Sequence, residues 1–225
     1  MKMVLPGVVF TVAVFSVLLG SCASSGKTES SEHGEFEIEI AGYTEAIQLI
    51  PIFAIAYYNR GNAYGDKGDY DRAIADYTDA IRFNPNYEAA YNNRGCAYLY
   101  KGDNDRVIAD CNQAIRLNPN FADAYFSRGS TYIAKDDYDH AIADFTQALR
   151  LNPNDVEAYK KRGVAYIFKG DYDLAIIDFE AALRIDPNDE VSKSGLEIAQ
   201  KALKEGMVTP KGIVLQLIHH SQDMT

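Results

Sequence analysis

Residues 61–71 read GNAYGDKGDYD, three glycines, a lysine and three aspartates in eleven positions. Such a stretch admits three readings: a phosphate cradle, a cation loop, or the turn between two helices. Sliding the chain along itself decides among them. The stretch returns at a constant interval, as GCAYLYKGDND at 95–105, GSTYIAKDDYD at 129–139 and GVAYIFKGDYD at 163–173. A ligand site has no reason to recur four times, and Gly65 becomes Leu99, Ile133 and Ile167 in the copies. No Ser or Thr follows Lys67, as a phosphate loop requires. Asp69, Asp103, Asp137 and Asp171 instead recur where a helix begins, as N-caps, with Asp71, Asp105, Asp139 and Asp173 in the first turn. The stretch is helix punctuation, and the chain is a repeat protein.

Four frames follow, 54–87, 88–121, 122–155 and 156–189. Each carries Tyr at position 4 (Tyr57, Tyr91, Tyr125, Tyr159), Gly at position 8 (Gly61, Gly95, Gly129, Gly163) and Tyr at position 11 (Tyr64, Tyr98, Tyr132, Tyr166). Spacings of four and three define one helix face. The second half of each frame places Ala73, Val107, Ala141 or Ala175 near Tyr77, Cys111, Phe145 or Phe179, followed by Ala80, Ala114, Ala148 or Ala182. Small residues let helices approach closely while aromatic knobs fill the space beside them. Asn-Pro-Asn at 84, 118 and 152, and Asp186-Pro187-Asn188, end each second helix because proline cannot continue it.

This constellation resembles the tetratricopeptide repeat (TPR), a helix-turn-helix unit of the same length. The resemblance implies an all-α fold, an α-solenoid in which the repeats stack as a right-handed superhelix. It also implies that first-helix positions 2, 5, 9, 12 and 13 line a concave wall. Carried over, the wall includes Tyr58, Asn62, Asn92, Cys96, Tyr100, Phe126, Ser130, Lys160, Val164 and Phe168, with Ile55, Asp66, Leu99, Asp123, Ile133, Glu157 and Ile167 among the others. Aromatic residues beside amides suit a peptide whose side chains fill pockets while the amides pair with its backbone. A clamp for a terminal carboxylate, known in the family, is not expected. Asn62 and Asn93 stand at matching places, but Tyr58 replaces its first lysine and Asp123 and Ser127 replace its basic pair.

The edges of the array differ from its middle. Tyr43, Ala46 and Pro51 fall one repeat length before Tyr77, Ala80 and Pro85, so 38–53 reads as a half repeat without its first helix. At the other end 190–206 reads as a polar-backed capping helix with Leu196, Ala199 and Leu203 on one face. The tail 207–225 contains GIVLQLI at 212–218, which could dock on the array, meet a partner or stay loose.

Upstream, Lys2 and the apolar run Val4–Leu19 have the length of a signal peptide, short for a spanning helix of roughly 20 residues. Leu19-Gly20-Ser21-Cys22 resembles a bacterial lipobox, which implies cleavage after residue 21 and acylation of Cys22. Buried acyl chains contribute about 0.8 kcal/mol per CH₂, so several chains anchor stably. Residues 22–37, rich in Ser, Gly and Glu, read as a flexible linker holding the array off the bilayer. Ala23 after the cysteine favours the outer membrane, facing the periplasm.

The net charge of −10, from 32 acidic and 22 basic residues, argues against nucleic-acid binding through a basic surface. No catalytic constellation, cofactor motif or metal-ligand spacing stands out; His33, His140, His219 and His220 lack the helix spacing of a metalloprotease. Arg60, Arg94, Arg128 and Arg162 recur with Asp76, Asp110, Asp144 and Asp178, either as pairs within a repeat or as a row for an anion. Cys96 and Cys111 occupy adjacent helices of one repeat, as two thiols or a disulfide. The expected function is that of a lipid-anchored adaptor binding a protein or peptide, with homo-oligomerisation open. The alternative is capture of a small solute for a transporter, which needs the open wall to be closed.

Overall fold

The computed structural model describes residues 29–206, and the expected signal peptide, Cys22, the expected linker up to residue 28 and the 207–225 tail lie outside them. The described residues form ten helices: α1 Glu29–Leu49, α2 Ala54–Asp66, α3 Tyr70–Phe83, α4 Glu88–Tyr100, α5 Asn104–Leu117, α6 Ala122–Ala134, α7 Tyr138–Leu151, α8 Val156–Lys169, α9 Tyr172–Ile185 and α10 Glu190–Lys204. They divide between Thr131 and Tyr132 into two compact units.

The punctuation works as the repeated residues require. Asp69 and Asp103 accept the Arg72 and Arg106 backbone N–H at 3.1 Å, and Asp137 accepts that of His140 at 3.3 Å. Asp171 holds the same N-cap position without that bond. The turn before each cap needs a left-handed residue: Gly68, Gly102 and Gly170 have φ of 81°, 76° and 84°. The third copy fills this place with Asp136 at φ 57°, a residue type that tolerates the conformation. Each second helix stops at Asn84, Asn118, Asn152 or Asp186, whose N–H returns to the alanine carbonyl four residues back while the following proline holds ψ extended.

In the unit ending at Thr131, hairpins α2–α3 and α4–α5 stack behind α1. Tyr57, Ala80 and Ala90 form one core with Ile47 of α1 against it, and Ala73, Tyr77 and Ala97 form a second. The arginine at position 7 joins helices across each junction. Arg60 grips both Asp76 oxygens at 2.8 Å and donates to Thr44 Oγ1 at 3.0 Å; Arg94 repeats this with Asp110 at 2.8 Å and Thr78 at 3.1 Å. The forks are filled by carboxylates, which supports the pair reading over the anion row. Lys67–Glu37 and Lys101–Asp71 form a second tie per junction, and Tyr100 stacks on Tyr70 with centroids 4.5 Å apart.

Glu37 and Thr44 stand one repeat length before Asp71 and Thr78, so α1 receives the first repeat through the same contacts as a full second helix. The helix begins at Glu29, so residues 29–37 are helical where the sequence reading expects linker. The Ser- and Glu-rich composition misled there because the helix reaches the array through Glu37 and Thr44, polar residues whose value depends on tertiary partners.

The second unit, from Tyr132, contains α7, α8, α9 and α10. Arg162 holds Asp178 at 2.7 and 2.8 Å and reaches Thr146 at 3.0 Å; Lys169 pairs with Asp139, and Phe168 stacks on Tyr138 at 5.1 Å. Phe179, fully buried, fills the space beside two glycines. A Cβ on Gly163 would lie 3.0 Å from its ring, and one on Gly195 of α10 would lie 2.5 Å away. The capping helix seats against the last repeat because residue 195 has no side chain.

Candidate functional site

In the unit ending at Thr131, α2 and α4 bring polar side chains into one network with Tyr77 of α3. Tyr58 lies between aromatic neighbours, its ring centroid 4.7 Å from Tyr87 and 5.9 Å from Tyr77. Asn93 Nδ2 donates to the Tyr58 hydroxyl at 3.1 Å and to Asn62 Oδ1 at 3.0 Å. The Tyr77 hydroxyl donates to the same Asn62 oxygen at 2.9 Å, and Asn92 Nδ2 donates to Asn93 Oδ1 at 3.3 Å. Burial raises the Tyr77 phenol above its ordinary range and pushes Tyr87 up to about 12.

Of the ten residues named first for the wall, seven belong to this unit. Tyr58, Asn62, Cys96 and Phe126 are half-buried and Tyr100 is exposed, with one ring face occupied by Tyr70. Asn92 and Ser130 are each 5% exposed, and Asn92 Oδ1 and Ser130 Oγ have no hydrogen-bond partner. Cys96 Sγ lies 3.6 Å from Ser127 Oγ, where the first junction has Asn62 against Asn93.

The other three lie in the second unit. Lys160 is 6% exposed and its ammonium meets Asp189, the N-cap of α10, at 3.0 Å, with Glu157 beside it. Burial opposes its charge, but the bonds to Glu157 and Asp189 outweigh this and raise its pKa. Val164 is in the core with Ala199 and Ala202 of α10, and Phe168 is stacked on Tyr138. The capping helix therefore covers Lys160 and Val164, while Phe168 stays half-buried and stacks on Tyr138 as Tyr100 does on Tyr70.

Tyr77 joins the network through its hydroxyl and Tyr87 packs its ring on Tyr58, although position counting assigns them to core and turn. A signal existed for Tyr77: position 24 holds Cys111, Phe145 and Phe179 in the other repeats, and it alone carries a hydroxyl.

Cys96 and Cys111 are both thiols, Cys111 fully buried and Cys96 half-buried. In a Cys22→Ser protein, a thiol reagent is expected to modify Cys96 in the native state and Cys111 only on unfolding. Counting no reactive thiol after unfolding without reductant would show that they pair as a disulfide.

Profiles of the tetratricopeptide repeat match 54–87 and 88–121, and further profiles described by the same name match 111–143 and 129–190. No curated protein matches the chain. Among solved structures, the MamA protein is 27% identical over 69% of this chain and 85% of its own, with a TM-score of 0.62. YrrB, described as a TPR protein with an unusual peptide-binding site, is 22% identical over 76% of this chain and 88% of its own, with a TM-score of 0.64. TTC0263, a TPR protein of Thermus thermophilus, is 22% identical over 74% of this chain and 91% of its own, with a TM-score of 0.60. With four profile matches over the repeats that the caps, prolines and Arg–Asp pairs define, this all-α chain belongs to the tetratricopeptide-repeat family.

Proposed function

We propose that this protein is a non-enzymatic adaptor of the bacterial cell envelope, tethered by acyl chains on Cys22 and binding a protein or peptide through the inner face of its repeats. The observation that carries the binding reading is the network of Tyr58, Asn62 and Asn93. Its rings and amides are half-buried, presenting apolar surface and hydrogen-bonding groups together. Family membership supports the same reading, since a TPR array is an interaction module. The tether rests on Leu19-Gly20-Ser21-Cys22 after an apolar run, and the outer membrane, facing the periplasm, is the location favoured by Ala23.

Affinity capture from an envelope extract tests the binding reading. A polypeptide retained by the parent chain is expected to be lost on Asn93→Ala and weakened by Tyr58→Phe, which removes the hydroxyl and keeps the ring. Retention by both variants at parental levels would place binding elsewhere. For the tether, Cys22→Ser is expected to abolish labelling by a palmitate analogue and move the protein out of the membrane fraction; unchanged labelling would overturn it.

A further inference from the structure

The turn between α1 and α2 departs from the turns that follow the later second helices. It reads Leu49-Ile50-Pro51-Ile52-Phe53 where those carry Asn-Pro-Asn or Asp-Pro-Asn, and Ile55 just after it stands where the next three repeats have Ala89, Asp123 and Glu157. Leu49, Ile50, Ile52, Phe53 and Ile55 are each between 42% and 75% exposed. The exchange has a cost. Asn84, Asn118 and Asp186 each accept, through Oδ1, the backbone N–H two residues on, at 3.2, 3.0 and 3.0 Å. Ile50 has no side-chain oxygen, so the first turn forgoes that bond and sets aliphatic groups in water. The fold does not require this, since the backbone closes alike in both cases: the Phe53 N–H reaches the Ile50 carbonyl at 3.1 Å, as the Tyr87 N–H reaches that of Asn84 at 3.1 Å.

The patch suits a lipid surface better than a polypeptide. No charged residue occurs from 46 to 59. The Ile50 N–H is bonded to the Ala46 carbonyl at 2.9 Å, the Pro51 carbonyl to the Tyr57 hydroxyl at 3.3 Å and the Phe53 carbonyl to the Ala56 N–H at 2.9 Å. Backbone groups satisfied internally are what apolar surroundings demand, and they leave a peptide little to pair with. Ile38 of α1 is as exposed as Leu49 and lies about three turns before it on the same stripe. Glu45, exposed between them, keeps its water only at headgroup depth, so the contact is shallow. Residues 22–28 span at most about 24 Å and α1 about 31 Å, so a helix lying along the bilayer brings both Cys22 and the turn to its surface.

We propose that the turn at residues 49–53, with Ile55 and the Ile38–Leu49 stripe of α1, rests in the interface of the bilayer and gives the tethered protein a second membrane contact. This deepens the proposed function and rests on its acyl tether. An acyl chain alone leaves the protein free to swivel about Cys22; a second contact fixes which side of α1 faces the lipid.

The chain contains no tryptophan, so Ile52→Trp places a single reporter in this turn and Asn86→Trp one at the same place in the next. Each variant is taken as the acylated full-length protein from the membrane fraction and reconstituted into phosphatidylcholine vesicles. The Ile52→Trp emission is expected at shorter wavelength than that of Asn86→Trp, and brominated phosphatidylcholine should quench the first more than the second. Ile50→Asn/Ile52→Asn restores the sequence of the later turns, so it should fold as the parent does and retain any polypeptide that the parent captures. Equal quenching of the two reporters, or quenching of neither, in protein that carries its acyl chains would overturn the second contact and leave the tether standing. Loss of the captured polypeptide from Ile50→Asn/Ile52→Asn would assign the patch to a protein partner and overturn it too. A Cys22 that takes no palmitate analogue, read before any fluorescence, would overturn the tether itself and the inference with it.

Discussion

Phe179→Ala is expected to cost about 3–5 kcal/mol in the unit that begins at Tyr132. The ring is fully buried and fills the room left by Gly163 and Gly195, so its removal empties a space bounded by three helices. Repeats and caps are held by nearest-neighbour contacts, so the loss should appear first as faster amide exchange in α8, α9 and α10. The glycines give the prediction a sign test. Gly195→Ala in the parent forces a Cβ to 2.5 Å from the ring and should destabilise by about 1–3 kcal/mol. In the Phe179→Ala background the obstacle is gone, and alanine's better helix propensity, about 1 kcal/mol, should make the same change stabilising. Additive effects of the two substitutions in denaturant unfolding would show that ring and glycines do not share that space.

The second large effect is expected at Asp178, 1% exposed and gripped through both oxygens by Arg162. Asp178→Ala leaves a guanidinium in a protein environment without its counter-charge. Removing one partner of a buried pair costs about 3–5 kcal/mol, and because the Arg162 side chain keeps 17% of its exposure, water lowers the expectation to about 2–3 kcal/mol. Asp178→Asn keeps an acceptor and should lose less. The double variant Arg162→Met/Asp178→Leu, which removes both charges, should recover much of the loss. If the double variant is no more stable than Asp178→Ala, the cost is lost packing rather than a stranded charge. Chemical denaturation of the three variants separates these outcomes.

What the sequence disclosed and what it withheld have a common physical origin. The hairpins, the aspartate caps, the proline stops and the Arg–Asp pairs were legible because each is local, with partners within one frame, and each recurs. The inner wall was legible only as a set of positions. Nothing in VEAYKKRGVAY shows that Lys160 will meet Asp189 or that Val164 will be covered, because the covering residues arrive on α10. Asn92 and Tyr58 share position 5, yet one is buried with an orphaned oxygen and the other is half-buried between rings. That difference is made by neighbours, not by the repeat. The start of α1 was hidden differently: its composition spoke for a linker, while the repeat offset that equates Glu37 with Asp71 and Thr44 with Thr78 was already present.

The equivalence of those two pairs has a consequence for how such a chain can change length. Arg94 finds a threonine, and Lys101 an acid, on the helix before them; α1 offers both groups in the same register. Excision of residues 54–87 would therefore deliver each basic side chain to a ready-made substitute. Genes encoding arrays of this kind can gain or lose whole modules, whereas a cut of any other size would strand charges at the seam.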